Sequence, residues 1–270
     1  MSVTFEFDGI GTHWWCELLD RTSTDERLVA AVKSYVDVFD KSYSRFISSS
    51  LVGCLNSGET IKNPPQELYD MLTYAKQLFD DSDGAFNITV GGDLHAKGYG
   101  SREQAARIWY EPWSHITLSP EQIGLPSGMT IDLGGFGKGW LIDKLGELFE
   151  TQGYSHYLIN GGGDMLIRSE EPITIQLEDP RDDTQAFGEI QITQGALAGS
   201  ANTKRSWQYE GKTYHHIIDP LGKKNDVVGT FVTAESALIA DSLATIIFLR
   251  PELQSTLETD YHATALLIKN

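Results

Sequence analysis

Between a short strand-like run, Met129-Thr-Ile-Asp-Leu133, and a helical pattern that begins at Leu141, the chain carries Gly134-Gly-Phe-Gly-Lys-Gly139. Four glycines in six residues leave the backbone free to turn sharply and let another group approach closely. The apolar residues Leu141, Ile142, Leu145, Leu148 and Phe149 recur at helical spacing, with Gly153 as the stop. The segment therefore reads as strand, glycine-rich turn and helix, an arrangement that often cradles an anion. It is not a P-loop, because Asp132 stands five places before Gly137 and Gly139 occupies the position that needs Ser or Thr. Gly98-Tyr-Gly100 lacks the third glycine of a dinucleotide fingerprint, and no βαβ rhythm surrounds it. What is left is a turn that puts Asp132 and Lys138 just ahead of a helix. A helix N-terminus and an ammonium could there face one anionic ligand; a tight packing turn with a solvated lysine fits the same residues.

The rest of the chain reads as α+β. Val3, Phe5 and Phe7, then Trp14, Cys16 and Leu18, alternate about Gly9-Ile-Gly11, as two strands or one bent strand. Ser23 and Glu26 have capping-box spacing ahead of a helix to about Phe39, and Pro64-Pro65 opens a second helix that ends at Asp80-Asp-Ser-Asp-Gly84. Strand patterns follow at 154–159, 165–168, 173–177, 189–193, 231–234 and 263–268, with a hairpin candidate at Glu210-Gly211 and a small-residue helix from about Ser236 to Phe248. No repeat or Pro/Ser-rich linker interrupts them, so residues 1–270 are expected to form one domain with mixed or antiparallel sheets and flanking helices. The formal net charge of −17 argues against a nucleic-acid backbone or an anionic membrane surface as partner. No apolar run approaches the ~20 residues that span a bilayer. The alternating N-terminus is unlike a secretory signal; as written, the chain reads as cytoplasmic, and a periplasmic protein whose leader has been removed fits equally. Cys16 and Cys54 have no metal-ligand spacing and are expected to be reduced and structural.

Three further segments carry chemistry. Gly161-Gly-Gly163 before Asp164 is a second glycine turn, readable as a ligand turn, a bulge or a close strand crossing. Asp241 and Thr245 lie at i and i+4 on one helix face. Together they could reach a hard cation; alternatively the carboxylate caps or pairs and the hydroxyl bonds back to its own helix. Tyr214-His-His-Ile-Ile-Asp-Pro220 places two adjacent histidines on opposite sides of a strand, a poor zinc pair.

In order along the chain, Gly9-Ile-Gly-Thr12, Ser44-Arg-Phe46, Asp83-Gly-Ala-Phe-Asn-Ile-Thr89, Ile131 to Gly139, Asn160-Gly-Gly-Gly-Asp164, Gly195-Ala-Leu-Ala198, His216-Ile-Ile-Asp-Pro220 and Ala240-Asp-Ser-Leu-Ala-Thr245 resemble the ApbE family of flavin transferases. The resemblance implies a single ApbE-like α+β domain with FAD as substrate and Mg²⁺ at its pyrophosphate. It implies FAD contacts at Ile10, Phe46, Ala85, Phe86, Asn87, Asp132, Lys138, Gly162, Gly163, Asp164, Ser200, His216 and Ile217, and metal ligands at Asp241, Thr245 and the Gly135 carbonyl. Gly199-Ser200-Ala201 departs from the family's Thr-Ser-Gly, Leu221-Gly222 from its Thr-Gly turn, and Asn87 from its aspartate.

The implied reaction moves FMN from FAD to a Thr or Ser hydroxyl of a client protein and releases AMP. Lys138 and Asp241 would serve catalysis by placing charge, and His216 by accepting the hydroxyl proton. Two alternatives share these residues: hydrolysis of FAD to FMN and AMP, and a flavin carrier without catalysis.

Overall fold

The computed structural model describes residues 2–90, 109, 111–201, 206–209, 212–215, 219–223 and 225–270. Numbered along the chain, the strands are β1 (Val3–Gly9), β2 (Thr12–Leu18), β3 (Ile61–Lys62), β4 (Thr117–Ser119), β5 (Gln122–Gly124), β6 (Tyr157–Gly161), β7 (Asp164–Asp179), β8 (Asp182–Ala201), β9 (Ser206–Tyr209), β10 (Lys212–His215), β11 (Val227–Ala234) and β12 (Thr264–Lys269). Two compact units form, one from Met1–Asp40, Phe136–Lys204 and Asn225–Asn270, the other from Lys41–Gly135 and Arg205–Lys224. The architecture is α+β with antiparallel ladders throughout the described strands.

The first unit is built on a seven-stranded sheet in the order β1-β2-β6-β7-β8-β11-β12. The N-terminal alternation becomes two strands because Ile10 and Gly11 both take positive φ, 42° and 72°, the backbone of a tight hairpin turn that matches strand twist. The expected strands at 165–168 and 173–177 are one strand, β7. Its pairing with β8 shifts register between Arg168 and Ile173, and beyond that break Ile173, Ile175 and Ile190 pack on a buried cluster of Leu158, Ile167, Leu177, Ile192 and Leu197. Pro180, at the tip of the β7–β8 hairpin, sits on Gly229, where a Cβ would stand 2.7 Å from its Cγ. The outer hairpin thus folds over one face of its own sheet.

Two helices, Gly137–Thr151 and Ala237–Leu249, belong to the opposite face. Gly146 of the first leaves room for Leu166 and Tyr157, whose atoms a Cβ would meet at 2.6 and 3.1 Å. Each helix caps the other. The N–H groups of Ala237 and Leu238 donate to the two Asp143 oxygens at 2.8 and 3.0 Å, and Gly139 N–H donates to Asp241 Oδ2 at 3.0 Å. Free N–H groups at a helix start are satisfied by carboxylates, which the helix dipole also favours. Burial nonetheless pushes the Asp143 carboxyl above its usual range. Ser236 accepts from Ile239 N–H at 3.1 Å and caps the small-residue helix, which starts at about the expected residue. Cys16 is buried in β2 beside Trp14 and Leu18; burial pushes its thiol up to about 12. Both cysteines are free.

The capping box does not start helix Glu26–Tyr43 at Ser23. Asp25 is the cap, accepting from Arg27 N–H at 2.8 Å.

In the second unit, helix Gln66–Asp81 follows Pro65 as expected, β3, β5 and β4 form a three-stranded sheet, and β9 pairs β10, with the turn candidate Glu210-Gly211 lying outside the described residues. The expected strand 129–133 does not form. A side-chain amide takes the neighbouring strand's role: Asn56 Nδ2 donates to Ile131 O at 3.0 Å and Ile131 N–H to Asn56 Oδ1 at 2.8 Å. Asp132 N–H donates to Ile88 O at 2.8 Å. Among the described residues no helix is long and apolar enough to cross a membrane.

Gly139 marks the helix crossing, since a Cβ there would clash with Ala237 O and lie 2.8 Å from its carbonyl carbon. Backbone cannot step aside as a side chain can, so Gly139→Ala should lower unfolding free energy by about 1–3 kcal/mol. Gly137→Ala, whose Cβ meets nothing within 4 Å, should raise it by about 0.5 kcal/mol. Urea melts of the two variants check both signs.

Candidate active site

Lys138 does not precede the helix; it lies in its first turn, within Gly137–Thr151. From there its ammonium forms an ion pair with Asp164 Oδ2, at the start of β7, and lies 3.5 Å from Asp241 Oδ1 in the Ala237–Leu249 helix. Asp164 Oδ1 accepts from Gly199 N–H in β8 at 3.3 Å, and Asp241 Oδ2 from Gly139 N–H. Two glycine N–H groups, one ammonium and two carboxylates therefore converge from two helices and two strands. Both aspartates are buried. Burial, reinforced by the neighbouring Asp164 charge, holds the Asp241 carboxyl above its usual range against the opposing pull of Lys138 and the Gly139 N–H.

This geometry changes the meaning of the glycine turn. The helix N-terminus and the ammonium do face one anion, but that anion is the protein's own Asp241. Counted as charges, Lys138 neutralises one of the two carboxylates and leaves a negative excess in a buried cluster. Beside it, Ser200 Oγ and Thr245 Oγ1 are hydrogen-bonded at 3.3 Å. Thr230 Oγ1 donates to Ala244 O at 2.8 Å and fixes β11 to the helix one residue away. The donors available here are all oxygens, which suits a hard cation such as Mg²⁺, an ion that keeps several waters and needs few protein ligands. Among the described residues no three His, Cys, Asp or Glu side chains gather as a metal-ligand group.

Two hairpin turns border the same sheet. Gly162 and Gly163 have φ of 68° and 103°; the pair joins β6 to β7 with Gly161 opposite Asp164, so it is a hairpin turn and not a bulge. Gly162 N–H donates to His13 O at 3.1 Å and Gly163 N–H to Asn160 Oδ1 at 2.9 Å. Their N–H groups are thus engaged, one by β2 and one by the end of β6, leaving only a surface without side chains to meet a ligand. A Cβ on Gly162 would clash with Thr12 Oγ1, which seats this turn against the Ile10–Gly11 turn. Ile10, a β-branched residue at φ 42°, is strained.

The second unit holds the remaining expected contacts. Asn87 is fully engaged locally: Nδ2 donates to Trp109 O at 2.7 Å, and Oδ1 accepts from Thr89 N–H at 2.9 Å and Thr89 Oγ1 at 2.7 Å. Ala85 and Phe86 are buried, and the Phe86 ring lies where a Cβ on Gly135 would approach to 2.9 Å. A side chain at Gly135 would have to displace the Phe86 ring, whatever the carbonyl does. Asp132 Oδ1 accepts from Gly134 N–H at 2.6 Å, and Oδ2 is 2.6 Å from Arg45 Nε. Phe46 is exposed. His216 and Ile217 lie outside the described residues. Sequence reasoning assigned no role to Arg45 or the Gly199 N–H; Arg45 sits inside the quoted Ser44-Arg-Phe46 motif, whereas nothing local marks Gly199.

Removing the ammonium leaves two buried carboxylates facing one another. Lys138→Met should therefore cost about 3–5 kcal/mol of stability in chelator-treated protein. Lys138→Met with Asp164→Asn should recover a large part of it, as equilibrium denaturation will read.

The sequence profile of the ApbE family matches residues 10–267. The FAD:protein FMN transferase of Escherichia coli K12 is 25% identical over 272 residues, covering 90% of this chain and 77% of that protein. The FAD:protein FMN transferase of Vibrio cholerae is 30% identical over 185 residues, 61% of this chain and 55% of that one. In structure, the ApbE protein of Thermotoga maritima superposes with a TM-score of 0.86 at 22% identity, covering 100% of this chain and 94% of its own. The flavin transferase ApbE of Vibrio cholerae gives 0.80 at 20% identity with the same coverage, 100% and 94%. With the ordered motifs, the shared fold and a profile match spanning nearly the whole sequence, the chain belongs to the ApbE family.

Proposed function

We propose that residues 1–270 act as one flavin transferase domain that moves the FMN half of FAD to a Thr or Ser hydroxyl of a client protein. The hydroxyl oxygen bonds to the FMN-side phosphorus, the bond from that phosphorus to the bridging oxygen breaks, and AMP leaves with that oxygen. The observation that carries this reading is the buried cluster of Lys138, Asp164 and Asp241. A pyrophosphate meeting two carboxylates and one ammonium would be repelled, so the cluster makes chemical sense with a divalent cation. Asp241, Thr245 and the Gly135 carbonyl are the proposed ligands. Bound there, Mg²⁺ would supply Lewis-acid neutralisation of pyrophosphate charge.

The chain's own residues have distinct tasks. Lys138 holds positive charge where negative charge develops, and needs no reorganisation because Asp164 already fixes it. Ser200 offers a hydroxyl donor beside Thr245. The glycine turn 162–163 and the strained Ile10 turn provide close-approach surfaces for the flavin nucleotide, with Phe46, Ala85, Phe86, Asn87, Asp132, Asp164 and Ile217 as further proposed contacts. His216 is the proposed acceptor of the client hydroxyl's proton, imidazole being the side chain whose reference pKa of ~6.5 lies nearest neutrality. A client segment that presents its hydroxyl in line with the phosphorus gains a proximity advantage that free water lacks. The relatives named as FAD:protein FMN transferases support the assignment of substrate and acceptor class.

The test incubates the protein with FAD, MgCl₂ and candidate clients, then reads flavin fluorescence in the denatured client band together with AMP. Equal amounts of bound flavin and AMP are expected, and a chelator should abolish both. Asp241→Asn keeps an acceptor for the Gly139 N–H while losing the charge, so it should remain folded and lose at least ~100-fold in rate. Thr245→Val should lose less, because water can replace a neutral ligand. AMP with free FMN and no labelled client would instead indicate hydrolysis; tight FAD binding with neither product would indicate a carrier.

A further inference from the structure

We propose that Arg45 is a positioning residue for FAD. It fixes the ring of Phe46 and the glycine turn after Asp132 in one arrangement without itself touching the ligand. The inference rests on the flavin transferase reading, and in particular on Phe46 and Asp132 as FAD contacts.

The observations come from one compact unit. The Arg45 side chain is 3% exposed, and its Nε lies 2.6 Å from Asp132 Oδ2. Its guanidinium carbon lies 4.2 Å from the centroid of the Phe46 ring, yet Phe46 is 61% exposed. A buried cation is costly, and here one edge is committed to a carboxylate while its face supports a solvent-facing aromatic. An exposed ring adds little to the core, and holding it still costs side-chain entropy. The arrangement is understandable if the ring must be ready for a planar ligand.

Both ends of the bridge are anchored without Arg45, through Ser50 and helix Leu51–Asn56. On one side, Ser50 Oγ donates to Ser44 O at 2.7 Å and Ile47 N–H to Ser44 O at 3.2 Å. Gly53 packs so closely that a Cβ would clash with Ile47 O and stand 2.8 Å from Ser48 O. On the other side, Asn56 holds Ile131, Ile88 O holds the Asp132 N–H, and Asp132 Oδ1 holds the Gly134 N–H. Arg45 joins two stiff turns, and its charge offsets Asp132, which would otherwise oppose an anionic nucleotide. Lysine would keep the charge but has no planar face and no fork, so it cannot both pair and stack in this way.

The experiment measures FAD Kd by equilibrium titration, and kcat and KM for FAD, in wild type, Arg45→Lys, Phe46→Ala and the double variant, with thermal melts alongside. Arg45→Lys is expected to raise Kd and KM about five- to tenfold, the scale of a lost stacking contact, with kcat at saturating FAD within about twofold. Because part of the Arg45 effect acts through the Phe46 ring, the double variant should lose less affinity than the product of the two single losses. To guard against a misfolded single variant, Arg45→Met with Asp132→Asn removes the buried pair together and should also bind FAD weakly. Wild-type FAD affinity in Arg45→Lys or in that pair variant, while Phe46→Ala binds weakly, overturns the positioning role. Equal losses in kcat and affinity that track a lowered melting temperature also overturn it, in favour of a purely structural pair. Unchanged affinity in Phe46→Ala and Asp132→Asn refutes the underlying assignment of those contacts, and this proposal with it.

Discussion

A lysine ammonium shared by two buried carboxylates ties the first unit together. Lys138, Asp164 and Asp241 come from a helix, a strand and a second helix. Each carboxylate also accepts a backbone N–H, from Gly199 and Gly139. Neither aspartate could be buried without these partners, because an unpaired buried charge is among the most costly features a fold can carry. The reciprocal caps, Asp143 on the Ala237 helix and Asp241 on the Gly137 helix, demand that the helices meet closely, and the absence of a side chain at Gly139 permits it. Fold and candidate chemistry thus rest on the same few atoms.

The second unit solves a different problem. Among its described residues there is little regular sheet, and its loops are made rigid by side chains that imitate a neighbouring strand. Asn56 pairs with both backbone groups of Ile131, Asn87 closes a turn on Thr89 while reaching Trp109, and Asp132 closes another on Gly134. Amide and carboxylate side chains do this well because their geometry matches that of a peptide group. Phe86 against Gly135 then fixes the turn at the end of the 41–135 segment by packing.

A strongly acidic chain proposed to handle an anionic nucleotide must separate its overall charge from its local charge. Exposed carboxylates are screened over about 8–10 Å at physiological salt; those of the Lys138 cluster are buried and are screened much less. The residual negative charge of that cluster attracts a cation and repels a bare phosphate, which makes metal and pyrophosphate cooperative partners in the proposed reaction. The strained Ile10 backbone follows the same logic of local constraint, since a β-branched residue at positive φ persists only where its surroundings insist on it.

What the sequence determined by itself was local or ordered along the chain. The small-residue helix from about Ser236, the alternation of β1 and β2 and the succession of family motifs were all legible, because backbone preference and side-chain periodicity act within a few residues. Where local signals competed, they misled: Ser23 lost the cap to Asp25, and the run 129–133 had strand composition but no strand neighbour. The partners of each charge were invisible, since a side chain reaches only a few ångströms and the sheet order decides what lies within them. Lys138 meets Asp164 across 26 positions, Asn56 meets Ile131 across 75, and Gly139 meets Asp241 across 102. Only the tertiary structure could show that the lysine expected to grip a ligand is already held by two aspartates, and that the glycine N–H groups expected to cradle phosphate are largely engaged within the protein.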